Sequence, residues 1–161
     1  MNDPGTNDPD TNSAGSSVDV QFAVSAEGVP SEAILREWAL QVLPADRKDA
    51  EVTIRVVDEA EITALNREYR GKDGATNVLS FPYETMPAIE TALLGDVVIC
   101  APVVAMESVA QQKPLEAHWA HMVVHGLLHL LGYDHQKDSE ARDMEDHEAQ
   151  LLARLGYANP Y

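Results

Sequence analysis

Residues 125–135 read HGLLHLLGYDH, and His125, His129 and His135 within them have the spacing H-x3-H-x5-H. Three imidazoles can hold a zinc ion and leave its fourth position open to water, the arrangement of a catalytic rather than a structural site. Residues four apart on an α-helix lie one turn above each other on one face, so His125 and His129 can reach the same ion. Gly132 follows three residues later, and glycine most easily takes the left-handed conformation that ends a helix. The chain then turns back and returns His135 toward the pair.

On a continuous helix His118, His121, His125 and His129 fall within about 80° of one another, at about 100° per residue. His121 lies two turns, roughly 12 Å, from His129, too far for the two to share an ion easily. The pair is therefore either His121/His125 or His125/His129, and the glycine turn favours the second. His121 is expected to support the site or to face substrate, His118 to lie at the surface, and His147 to be solvated. Compared with the zinc-protease pattern H-E-x-x-H-x-x-G-x-x-H, every histidine and the glycine are present, but Gly126 stands where the protease has its glutamate base. Without a group there to take a proton from water, peptide hydrolysis by the standard route is put in doubt. The likeness to proteases is one of metal geometry.

The elements that must position these residues follow in chain order. Residues 1–17 are rich in Asp, Asn, Pro, Gly, Ser and Thr and offer almost nothing to bury, which predicts a disordered extension ahead of one domain over 18–161. VDVQFAV from Val18 and EVTIRVV from Glu51 alternate as half-buried strands do. Between them Ser31 is the expected N-cap of a helix carrying Ile34, Leu35, Trp38 and Val42 up to Pro44. Asp58 and Glu61 resemble a capping arrangement for the next helix. NVLSFPY (77–83) reads as a strand whose Pro82 belongs at an edge, and GDVVIC (95–100) as its antiparallel neighbour. The two earlier strand–helix–strand links favour parallel crossovers. Pro102 and Pro114 open the next two helices, the second ending in the histidine motif. Asp138 or Ser139 is the expected cap of a last helix with Ala141, Met144, Leu151, Leu152 and Leu155 on its apolar side. Its acids Glu140, Asp143, Glu145, Asp146 and Glu148 are expected on the solvated side. Met144 reads as packing. The fold class is α+β: a small mixed sheet of about four strands packed with helices, with a zincin-like histidine site at a helix end.

A formal net charge of −16 argues against general attraction to nucleic acid or anionic lipid. A polyanionic substrate must therefore be met locally. Cys100 is the one cysteine, so no internal disulfide forms and a buried, inert thiol is expected. Neither a secretory leader nor an eighteen-residue apolar run is present, which predicts a cytoplasmic protein with no membrane partner.

Three strings, HGLLHLLGYDH at 125–135, YRGKDGATNVLSFPYE at 69–84 and LGDVVIC at 94–100, together resemble the YbeY family of bacterial zinc-dependent endoribonucleases. The similarity runs from about Val18 to Tyr157. It implies a small mixed sheet with helices and a zinc site in a cleft. It also implies roles in 16S rRNA 3′-end maturation and ribosome quality control, with single-stranded RNA, ribosomal RNA and the small ribosomal subunit as partners. Carried over by position, the family's zinc ligands are His125, His129 and His135, and its functionally important arginine is Arg70.

Arg70 also suits phosphate chemistry by itself, because guanidinium presents a planar fork to phosphate oxygens. With Arg67 and Lys72 it forms a basic cluster beside Gly71. The alternative is ordinary surface charge, and the family resemblance decides for a substrate role of Arg70 and Lys72. Asn77 and Ser80 either contact substrate or bond neighbouring backbone. Asp134 either orients a ligand histidine or accepts a proton near the metal. The expected reaction is hydrolysis of single-stranded RNA with zinc polarising a phosphoryl oxygen and Arg70 stabilising the developing charge. The attacking group is either metal-bound water or the RNA 2′-hydroxyl. The rival readings are a zinc hydrolase of another class, such as a protease, and a non-catalytic zinc protein of the ribosome.

Overall fold

The computed structural model describes residues 17–25, 27–44, 50–83, 93–133 and 138–161. The expected tail over 1–17 lies outside them except for Ser17, which opens the first strand. In chain order the elements are β1 (Ser17–Phe22), α1 (Glu32–Val42), β2 (Glu51–Val57), α2 (Glu59–Arg70), β3 (Val78–Pro82), β4 (Leu93–Cys100), α3 (Ala101–Ala110), α4 (Leu115–Leu130) and α5 (Asp138–Leu155).

Local chemistry sets the boundaries. Ser31 Oγ accepts the Ile34 N–H at 3.2 Å, and the Asp58 carboxylate accepts the Glu61 N–H at 2.9 Å, so α1 and α2 start at the expected caps. At its other end α2 stops at Gly71 with φ +64°, a conformation that costs any other residue a Cβ clash.

The sheet order is β1-β2-β4-β3, with β1, β2 and β4 parallel and β3 antiparallel to β4. The first strand–helix–strand link is thus parallel, as expected, but the second is not. A crossover helix needs an apolar stripe to lie on the sheet, whereas α2 buries only Ile62 and Asn66. Residues 71–77 bring the chain back to the end of β4, where Asn77 O accepts the Cys100 N–H at 2.9 Å and Val78 pairs with Ile99. From there β3 runs backward along the edge, and Pro82 falls on an edge strand as its missing N–H requires.

One face of the sheet, including Val52, Ile54, Val97 and Ile99, packs on Trp38, Val124, Leu127 and Leu152 in the main core. α4 is buried nearly all round. The helix that carries the histidines is therefore held rigidly. A smaller cluster of Val57, Ile62, Leu79, Val98, Cys100 and Val103 fills part of the other face. Met144 is a core residue, and Cys100 is fully buried, its thiol pKa raised by that burial. Among the described residues no helix is long and apolar enough to cross a membrane.

Candidate functional site

His125 and His129 face each other on α4 with ring centroids 4.7 Å apart. Behind them stands Glu148 of α5, which is not exposed at all. Its Oε2 lies 2.6 Å from His125 Nδ1 and 3.4 Å from His121 Nε2, and its Oε1 accepts the Tyr161 hydroxyl. Burial alone would raise the Glu148 pKa, but hydrogen bonds from His121, His125 and Tyr161 outweigh it and hold the carboxyl at about 2. Glu148 is thus ionised at neutral pH and can only accept. His125 must then carry its hydrogen on Nδ1 and its lone pair on Nε2, the tautomer a metal ligand needs.

His121, His125 and Glu148 offer ligand atoms all within 4.8 Å of one another, a group that could itself hold a metal. Hydrogen bonding weighs against its acting as the first choice. His125 Nδ1 is already engaged by Glu148 Oε2 at 2.6 Å, and His121 Nε2 meets the Tyr161 hydroxyl oxygen at 3.2 Å. His125 belongs to either donor set. His135 and Asp134 lie outside the described residues. Two imidazoles with a carboxylate fixing one ring are a donor chemistry that suits zinc.

In front of the histidines a cleft of about 520 Å³ is lined by Arg70, Lys72, Asn77 and Ser80 together with His125 and His129. Six of the residues singled out in the sequence therefore share one surface. His121 is not part of that lining. It is buried beside Glu148 and Tyr161, away from the substrate-facing place that was one of the two expected for it. Arg36 pairs with Glu32, Arg55 with Glu61 at 2.6 Å and Arg67 with Asp73 at 3.2 Å. Among the described residues no carboxylate pairs with Arg70 or Lys72. Two exposed cations thus stand beside the histidines of a strongly acidic protein with no ion-pair partner among the described residues.

A family model described as Endoribonuclease YbeY matches residues 23–156. The chain belongs to the YbeY family. Its members are endoribonucleases, hydrolases of ribosomal RNA processing, and the chain carries that activity class with it. The solution structure of TM1509 from Thermotoga maritima shares the fold, with a TM-score of 0.62, 24% identity, and 86% of this chain and 88% of that one covered.

In this YbeY chain the protease glutamate is missing for a steric reason. A Cβ on Gly126 would lie 2.5 Å from Val97 Cγ1, and the Gly126 carbonyl accepts the Ser80 hydroxyl at 2.8 Å. Position 126 faces the sheet, with no room for a side chain.

Three expectations need correction. Glu148 is not on the solvated side of α5. It stands four residues from both Met144 and Leu152, on the buried stripe, and its acidity masked that spacing. His147 stacks on Tyr133 at 5.1 Å and is half-buried. His118 is 2% exposed rather than superficial, because α4 is covered on that face too. Its Nε2 lies 2.9 Å from Glu107 Oε1. Burial lowers the His118 pKa against the opposing pull of Glu107, so this is a hydrogen bond from a neutral ring.

A pH dependence follows. Below the ordinary pKa of about 6.5 the unfolded chain binds a proton that folded His118 resists, so stability falls as pH drops from there toward the folded pKa. In urea denaturation between about pH 7.5 and about pH 5, His118→Asn should lose up to about 1.4 kcal/mol per pH unit of that slope. An unchanged slope would mean that His118 titrates alike in both states.

Proposed function

We propose that this protein is a zinc-dependent endoribonuclease selective for single-stranded RNA. Its setting is the cytoplasm, its target ribosomal RNA, and its role 16S rRNA 3′-end maturation and ribosome quality control on the small ribosomal subunit. The observation that carries this reading is the shared cleft, in which Arg70 and Lys72 stand with His125 and His129. His125, His129 and His135 hold the zinc, which when bound supplies Lewis-acid polarisation of a phosphoryl oxygen.

Glu148 keeps the His125 hydrogen on Nδ1. Arg70 binds the phosphodiester through its guanidinium fork and stabilises the charge that develops during cleavage, with Lys72 adding a second cation. Asp134 orients a ligand or accepts a proton. A cleft of about 520 Å³ admits one strand with its bases turned out. The acidic surface elsewhere opposes the dense phosphate array of a duplex.

Cleavage of single- and double-stranded RNA by zinc-loaded protein tests the reading. Arg70→Ala should lower single-strand cutting by about 10²- to 10³-fold at unchanged zinc content. Wild-type rates in that variant, or equal cutting of duplex, would overturn the proposal.

A further inference from the structure

The β3 side of the cleft offers acceptors and withholds its donors. Asn77 Nδ2 lies 3.1 and 3.3 Å from the two Glu107 oxygens. Glu107 is itself fixed from the other side by His118 Nε2–H at 2.9 Å. A carboxylate repels an amide oxygen, so the Asn77 amide has one sensible orientation, NH₂ inward and Oδ1 outward. Among the described residues the buried side-chain polar atoms without a partner are His118 Nδ1 and His121 Nδ1. Asn77 Oδ1, which no protein donor meets there, therefore opens to solvent. Ser80 repeats the pattern three residues on, its hydroxyl hydrogen engaged by the Gly126 carbonyl at 2.8 Å so that only lone pairs remain.

Such a wall cannot bind phosphate oxygens, which are acceptors themselves. It suits a hydrogen-bond donor next to the phosphate held by Arg70 and Lys72. In a ribonucleotide chain the donor nearest the phosphate is the ribose 2′-hydroxyl, the group DNA lacks. We propose that Asn77 Oδ1 and Ser80 Oγ accept hydrogen bonds from ribose 2′-hydroxyls and so select RNA over DNA. Glu107, backed by His118, is the positioning residue that keeps the Asn77 oxygen outward. The inference rests on the cleft being the RNA site.

Binding, rather than cleavage, is the measurement, because a 2′-hydroxyl that also took part in the chemistry would confuse a rate. Fluorescence anisotropy with zinc-loaded protein compares a single-stranded RNA with the same sequence carrying 2′-fluorine, which keeps the sugar shape but has no hydrogen to donate. Wild type should bind the RNA about five- to tenfold more tightly. That ratio should approach one in Asn77→Ala combined with Ser80→Ala, and should shrink in Ser80→Ala alone, where one small atom is lost and the fold is safest. In Glu107→Gln the amide is no longer held one way, and the ratio should fall as well.

Equal wild-type affinity for the two oligonucleotides, with Arg70→Ala still weakening both, would overturn the inference and leave the cleft as the RNA site. Selectivity that follows removal of base amino groups, as in guanine against hypoxanthine, and not the sugar would overturn the ribose assignment. If Arg70→Ala weakens neither, the RNA site itself is misplaced and the inference falls with it.

Discussion

Glu148→Ala is expected to weaken zinc binding by about 10- to 100-fold, the usual consequence of removing a carboxylate that orients a ligand histidine. Without Glu148 the His125 ring loses the partner at 2.6 Å that fixes its tautomer and orientation. The Tyr161 hydroxyl loses its acceptor at the same time, while His121 Nε2 keeps the Tyr161 oxygen at 3.2 Å. Leaving such a donor unpaired in the interior costs about 1–3 kcal/mol, so the metal-free variant should also unfold at lower urea. Chelator competition measures the affinity, and circular dichroism shows that the fold is kept.

The same titration separates the two donor sets. With His125 and His129 as ligands, His129→Ala abolishes stoichiometric zinc, Glu148→Gln lowers affinity only, and His121→Ala does little. Zinc lost outright in Glu148→Gln and His121→Ala but retained in His129→Ala would instead place the ion among His121, His125 and Glu148. Unchanged affinity in a folded Glu148→Ala would show that the contact to His125 does not serve the metal.

Much of this arrangement could be read in the sequence because it depends on local spacing. The caps at Ser31 and Asp58 and the strand alternation are properties of a few consecutive residues. So are the i, i+4 histidines and the glycine turn, and each is found where its own chemistry places it. The carboxylate behind His125 depends instead on how two helices pack. Glu148 belongs to the stripe Met144–Glu148–Leu152, but a charged residue on a stripe is ordinarily read as its edge, and only a partner on another helix makes its burial tolerable. His118 was hidden in the same way by Glu107. The direction of β3 follows from how little of α2 is apolar, a weaker signal than the alternation that suggested a parallel link. Tyr161 lies beyond Gly156, past any periodic pattern, and nothing local could tie it to Glu148.

Gly126→Glu, the change that would restore the protease motif, should leave the protein mostly unfolded and without peptidase activity. A Cβ alone would meet Val97 Cγ1 at 2.5 Å and Val78 Cγ2 at 3.3 Å, and Val97 is fully buried in the sheet. For Gly126→Ala a helix-propensity gain of up to about 1 kcal/mol competes with an overpacking cost of about 1–3 kcal/mol, so a modest net loss is expected. The glutamate adds the rest of a carboxylate side chain beyond alanine-sized bulk and a charge against the apolar Val97 and Val78, and burying an unpaired carboxylate costs several kcal/mol more. Shortening the obstacle should help only the smaller residue: Val97→Ala should recover part of the loss in Gly126→Ala and little of that in Gly126→Glu. Urea denaturation of the single and double variants measures both. A Gly126→Glu protein of wild-type stability that hydrolysed casein would mean that position 126 can turn toward the cleft. Otherwise the missing base is dictated by how closely α4 lies on β4, and any proton transfer in the proposed reaction falls to a group other than position 126.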